Sequence, residues 1–167
     1  EEVFGGAVPK LYFPPVVQGL RDCMEKGVLA GYKVVGVKAT LYDGSYHPVD
    51  SKEMAFKEAA RLAYNNAMPN AKPVLLEPID KVVVYAPEEY TGTIMGDITK
   101  RRGMIVDMQT TEDGEQEIVA EVPMAEILTY ANELRSMTQG RGKFTVSFER
   151  YQDAPKDVAD KVIAAAK

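Results

Sequence analysis

The chain has 167 residues, with 20 basic and 25 acidic groups, one His, one Cys and no Trp. That length fits one domain or two of about 80 residues, and 46% apolar residues against 27% charged ones exclude bulk disorder. A net charge of −5 argues against indiscriminate nucleic-acid binding, the lone Cys23 excludes an internal disulfide framework and suggests a reducing compartment, and neither a bilayer-spanning apolar run nor a signal-peptide pattern is present.

Glu1 rather than Met opens the sequence, so a piece of a longer protein is expected. Residues 14–26 read as a helix. Pro14 and Pro15 suit its first turn, Val16, Val17, Leu20, Cys23 and Met24 recur at helical spacing, and Gly27 fits a C′ position. Residues 33–42 read as a strand, with Val35, Val37, Ala39 and Leu41 on one face and Lys38 and Thr40 on the other. Asp43-Gly44 ends it, and a polar loop runs to Asp50. A second helix is expected from Asp50, capped by that residue with Glu53 reaching back, and buried through Met54, Ala55, Ala59, Leu62 and Ala63. It stops near Met68-Pro69-Asn70. One strand and two helices do not complete a sheet, so this half is expected to lack partners.

Beyond Lys72-Pro73 the pattern becomes two similar halves. Strand 81–86, helix 87–102 and strand 103–109 are followed by strand 116–122, helix 123–137 and strand 143–150. Each half has a strand ending in Pro (Pro87, Pro123) and returns through an Arg/Gly corner (Arg102-Gly103, Arg141-Gly142). Joined by a hairpin at Asp113-Gly114, they predict a ferredoxin-like βαββαβ sandwich. A last helix is expected over 155–166.

Charge follows this division. Residues 1–77 are net neutral, residues 78–155 are net −6 and the last twelve are net +1. The basic clusters in the acidic part are Lys100-Arg101-Arg102 and the stretch from Arg135 to Lys143. A local RNA grip by a few arginines on an acidic body is compatible with this pattern.

No phosphate loop, no Gly-rich dinucleotide turn and no nucleophile elbow occurs. One Cys and one His do not make a tetrahedral metal site, and Cys23, on the apolar stripe of its helix, is read as a small hydrophobe rather than a partner of His47. No catalytic residue and no metal ligand is therefore assigned. Two stretches remain. The loop Asp43, Gly44, Ser45, Tyr46, His47, Pro48, Val49, Asp50 is either an ordinary polar turn or a recognition tip whose aromatic and imidazole groups meet unpaired RNA. Lys100, Arg101 and Arg102 at a helix C-terminus are accounted for by the helix dipole. Arg135, Ser136, Gln139 and Arg141, with two Gly around one helix-to-strand turn, also suit an RNA phosphate contact.

These residues resemble a known family. Leu41-Tyr42-Asp43-Gly44-Ser45-Tyr46-His47, Val49-Asp50-Ser51 and Met54-Ala55-Phe56-Lys57 are similar to domain IV of bacterial elongation factor G. Leu76-Glu77-Pro78-Ile79 resembles the junction into its domain V. Gly96-Asp97-Ile98, Arg101-Arg102-Gly103, Tyr130-Ala131, Leu134-Arg135-Ser136 and Gln139-Gly140-Arg141-Gly142 resemble domain V itself. The resemblance implies an α+β chain. Residues 1–75 would be the second half of domain IV (a split βαβ, ribosomal protein S5 domain 2-like), 76–153 the ferredoxin-like domain V, and 154–167 a C-terminal helix. It further implies a cytoplasmic translational GTPase as parent, with GTP and magnesium bound far upstream and no cofactor in this part.

By the same resemblance, Asp43, Gly44, Ser45, Tyr46, His47, Pro48 and Asp50 would form the tip entering the small-subunit decoding centre beside A-site tRNA and mRNA. Arg135, Ser136 and Gln139 would meet the sarcin–ricin loop of large-subunit RNA, Arg141 would be a further large-subunit RNA contact, and Arg101 and Arg102 would meet the large subunit or its stalk base. The ribosome recycling factor is a further implied partner, and no membrane is. Pro48 departs from the acidic residue usual after this His, which leaves a ribosomal-protection or recycling paralogue as the alternative. A stand-alone acylphosphatase-like hydrolase is disfavoured, because its phosphate cradle would fall on Ala86-Pro87-Glu88-Glu89, where two acids repel the substrate.

Overall fold

The computed structural model describes residues 6–166; Glu1, on which the expectation of a longer parent rests, and Lys167 lie outside them. The chain divides into two units, residues 76–154 and residues 1–75 with 155–167.

In the second unit, period-two alternation builds the sheet and helical spacing builds its cover. Strands β1 (Leu76–Pro87), β2 (Met104–Thr110), β3 (Glu115–Pro123) and β4 (Lys143–Asp153) form one sheet in the order β2-β3-β1-β4. All its pairings are antiparallel. Val82, Val84 and Ala86 of β1 and Ile118, Ala120 and Val122 of β3 point to one face. There they meet Ile94 and Ile98 of α3 (Thr91–Lys100) and Tyr130 and Leu134 of α4 (Tyr130–Met137). This is the predicted βαββαβ sandwich. Each helix is shorter than expected, because Glu88–Tyr90 and Met124–Glu126 form single 3-10 turns after their prolines. Gly114, at φ +79°, makes the predicted hairpin turn between β2 and β3.

Both helices of this unit end in the same way. After α3, Gly103 N–H donates to the Ile98 carbonyl (2.9 Å) and Arg102 N–H to Thr99 (3.1 Å). After α4, Gly140 N–H donates to the Arg135 carbonyl (2.8 Å) and Gln139 N–H to Ser136 (3.4 Å). Each pair is a Schellman cap, and the left-handed C′ residue is Arg102 (φ +60°) or Gln139 (φ +53°) rather than glycine. The glycine that matters most is Gly103. A Cβ there would lie 2.6 Å from Ile98 Cγ2, 2.8 Å from the Ile98 carbonyl oxygen and 2.9 Å from Val122 Cγ2. Gly103→Ala is expected to cost about 1–3 kcal/mol, read as a lowered urea midpoint. An unchanged midpoint would mean that the turn relaxes freely.

The first unit is built on α1 (Phe13–Met24) and α2 (Glu53–Ala67). Val8, Tyr12 and Val16 pack against Phe56 and Ala60, with the Tyr12 and Phe56 rings stacked at 4.2 Å. Gly19 lets the helices approach, since a Cβ there would meet the Ala60 side chain at 3.2 Å. The last helix, α5 (Lys156–Ala165), groups with this unit.

Four expectations for this unit are corrected. Residues 33–42 form no strand: the segment is irregular and bends at Gly36 (φ +70°), no second strand lies beside it among the described residues of the unit, and Val35 and Val37 stay exposed. A strand is a paired object, so alternation alone does not make one. The α2 stripe is set by its aromatics instead of its small residues. Phe56, Ala60 and Tyr64 are buried against α1, while Met54, at 74% exposure, and Ala55, Ala59, Leu62 and Ala63 face outward. Asp50 does not cap α2; the N-cap is Lys52, in an extended conformation with no side-chain cap. Gly27 is not the C′ residue either. The chain turns on past Glu25, and Gly27 N–H bonds to the Tyr32 carbonyl at 2.8 Å.

Candidate functional site

In the first unit, the loop singled out by sequence is exposed from Tyr42 through Asp50, yet its two ends are tied down. At its start, the Asp43 carboxylate accepts Gly44 N–H at 2.8 Å, and a Cβ on Gly44 would strike Val8 Cγ2 at 2.6 Å. At its end, His47 N–H donates to Ser51 Oγ (2.8 Å) and Ser51 N–H returns to the His47 carbonyl (3.0 Å). The buried Tyr12 hydroxyl also donates to the Ser51 carbonyl at 3.0 Å, and its ring lies 5.7 Å from Tyr46. Pro48 sits inside this closed turn. The imidazole is oriented by a carboxylate: His47 Nδ1 lies 3.2 Å from Asp50 Oδ2, with both side chains exposed. Asp50 therefore serves the histidine instead of the helix. Ser45, Tyr46 and His47 form an exposed polar and aromatic tip held by a packed base. Cys23 lines a groove with Gly19, Lys57 and Arg61.

In the second unit, the arginines separate into two kinds. Arg101, only 11% exposed, is saturated inside the fold. Its Nε bonds Asp97 at 2.6 Å, its Nη1 donates to the Glu126 carbonyl at 2.6 Å, and its Nη2 pairs with Glu133. The guanidinium also lies 5.2 Å from the centre of the Tyr130 ring. Arg102 grips the buried Glu77 with two parallel bonds of 2.9 Å and touches Glu126 at 3.2 Å. The resemblance implies that both meet the large subunit or its stalk base. Within the fold they tie the end of α3 to the approach to α4 and the start of β1. Burial, followed by the nearby Asp97 charge, pushes the Tyr130 phenol up to about 12.

Arg135, Ser136, Gln139 and Arg141 are all exposed around the C-terminal cap of α4. The cap is held from beneath by buried Thr138, whose hydroxyl donates to the Leu134 carbonyl (2.6 Å) and accepts Gly142 N–H (2.9 Å). Among the described residues Arg135 has no ion pair, whereas Arg141 pairs with Glu89 and donates to the Tyr90 hydroxyl at 2.6 Å. A free guanidinium, a hydroxyl and an amide on one rigid turn suit a phosphate and sugar contact. Gln139 holds the left-handed C′ position of this Schellman cap, as Arg102 does after α3.

Sequence reasoning missed Tyr12, Glu77, Glu89, Glu126 and Glu133 as partners of these residues. Their contacts span 24–52 positions, so no local periodicity marks them. The acidic cluster also sets a pH response. The Thr129 hydroxyl first, then Arg101, holds the Glu133 carboxyl below its ordinary range, and Arg150 does the same for Glu121. Carboxylates with a lowered folded pKa contribute stability above their unfolded value near 4.3 and lose it as pH falls through the folded one. Melting temperature is expected to hold from pH 7 to about 5 and to fall below about 4. A flat profile down to pH 3 would mean that these pairs contribute nothing.

Two family profiles match the chain: "Elongation factor G, domain IV" over residues 1–72 and "Elongation factor G C-terminus" over residues 74–162. The chain is also similar to a protein from Thermus thermophilus of known crystal structure, with 41% identity and a TM-score of 0.91. That match covers 99% of this chain and 25% of the Thermus chain, so the chain spans about a quarter of that relative's length.

Proposed function

Because the chain belongs to the elongation factor G family, we propose that it is the ribosome-engaging part of a translation factor that moves tRNA and mRNA. In this reading the loop 43–50 enters the small-subunit decoding centre beside A-site tRNA and mRNA. The corner of Arg135, Ser136, Gln139 and Arg141 meets the large-subunit sarcin–ricin loop. Arg101 and Arg102, occupied within the fold, shape that surface near the stalk base rather than reach across it. GTP and magnesium belong to the rest of the parent, and the work is cytoplasmic. No described helix is long and apolar enough to cross a membrane.

The observation that carries the proposal is the pinned tip. His47 and Tyr46 are exposed on a turn fixed by Tyr12, Ser51 and Val8, so little conformational freedom is lost on docking. Such a tip acts as a pawl: it occupies space vacated by moving tRNA and biases two states by differential binding. A neutral imidazole can stack on a base and both donate and accept hydrogen bonds, and Asp50 fixes which nitrogen faces outward.

In the full-length parent, His47→Ala is expected to leave melting and ribosome-stimulated GTP hydrolysis nearly unchanged while slowing single-round translocation at least several-fold. Unaffected translocation would sink the tip reading, and a sharp drop in melting would make His47 structural. Pro48 after His47 leaves a second reading, a ribosomal-protection or recycling-specialised paralogue. A parent that splits ribosomes with recycling factor but does not translocate would decide for it.

A further inference from the structure

The two ends of the helix layer carry the same clamp built with opposite exposure. At one end, the arginine closing α3 (Arg101) reaches the approach to α4, where it meets the Glu126 carbonyl and Glu133. At the other, Arg141, just past the end of α4, reaches the approach to α3, where it meets Glu89 and Tyr90. Arg101 is held by two carboxylates and one carbonyl and is nearly buried. Arg141 is 52% exposed, Glu89, its one carboxylate partner among the described residues, is 59% exposed, and its bonds to Glu89 and Tyr90 both use Nη2. Among the described residues its Nε and Nη1 have no hydrogen-bond partner, and its guanidinium lies 4.9 Å from the centre of the Tyr90 ring. The first clamp is static by burial. The second is exchangeable, since an exposed ion pair is worth little and the Tyr90 ring and hydroxyl would keep the guanidinium aimed without Glu89.

We propose that Glu89 is a built-in competitor for Arg141, a carboxylate that an RNA phosphate must displace, so that it sets how tightly the α4 corner holds RNA. The inference rests on the RNA reading of that corner. Docking exchanges one anion for another at the same guanidinium. The exposed pair with Glu89 has to open before the guanidinium can turn to the phosphate. Glu89 also stands as a like charge beside the phosphate. Neutralising it removes both effects.

The test is binding of the chain to purified large ribosomal subunits across a salt series, with melting of each variant read alongside. Glu89→Gln is expected to tighten binding about two- to fivefold, the size of an exposed ion pair. Adding Arg141→Met should abolish that gain. Glu89→Ala should behave like Glu89→Gln, which keeps the result independent of one substitution. Weaker or unchanged binding by both Glu89 variants overturns the inference, as does a gain that persists without Arg141. If Arg135→Ala weakens binding while the Glu89 variants bind as wild type, only the competitor role fails. If the wild-type chain does not bind, or Arg135→Ala binds as wild type, the RNA reading of the corner fails and this inference with it.

Discussion

Arg135→Ala is expected to weaken binding to the large ribosomal subunit by roughly 10- to 100-fold, about 1.5–3 kcal/mol, the worth of a charge-assisted contact. The same change should flatten the salt slope by about 0.7–0.9, one phosphate's share. The magnitude follows from the position. Arg135 stands on the last turn of α4, exposed and without an ion-pair partner among the described residues, so no internal bond has to break before it binds. Arg141, four residues past the end of the same helix, starts from a pair with Glu89 and should cost less when removed. Among the described residues the Arg135 side chain makes no ion pair and stays exposed, and Ala is a good helix former. Melting should therefore be unchanged. Sedimentation with large subunits at several salt concentrations reads both quantities, and an unaltered slope would count against a phosphate contact.

Arg101→Met acts on the opposite quantity. It is expected to destabilise the second unit by about 3 kcal/mol, the lower end for breaking a buried pair because Glu133 stays half-exposed. For a unit of this size that corresponds to a fall of roughly 12–24 °C in melting temperature. Without the guanidinium, Asp97 at 17% exposure and the Glu126 carbonyl lose their donor, and Tyr130 loses the cation over its ring. Arg101→Lys keeps the charge but not the fork that reaches three acceptors at once, so it should fall between the two. The gap between wild type and Arg101→Met should narrow as pH falls through the lowered range of Glu133, where wild type loses the pair that the variant already lacks. Equal melting of the two proteins at pH 7 would mean that solvent already serves these groups.

Much of this was legible along the chain. The alternation of Val82, Val84 and Ala86 with Ile118, Ala120 and Val122, the paired prolines and the Asp113-Gly114 turn specify a βαββαβ unit, because each signal acts within one element or one turn. The loop from Asp43 to Asp50 and the corner from Arg135 to Arg141 were legible for the same reason, since polar, aromatic and Gly-containing stretches between periodic segments can only be surface. Partnership was not legible. Whether 33–42 becomes a strand depends on a neighbour to share its hydrogen bonds, and which face of α2 is buried depends on where Phe56 and Tyr64 find α1. Whether an arginine is a contact or a strut depends on acids more than twenty positions away, as Arg101, Arg102 and Arg141 show against Arg135. Local periodicity reports on bonds a segment makes with itself; hydrogen bonds and ion pairs between distant segments are decided only when folding brings the second group within about 3 Å.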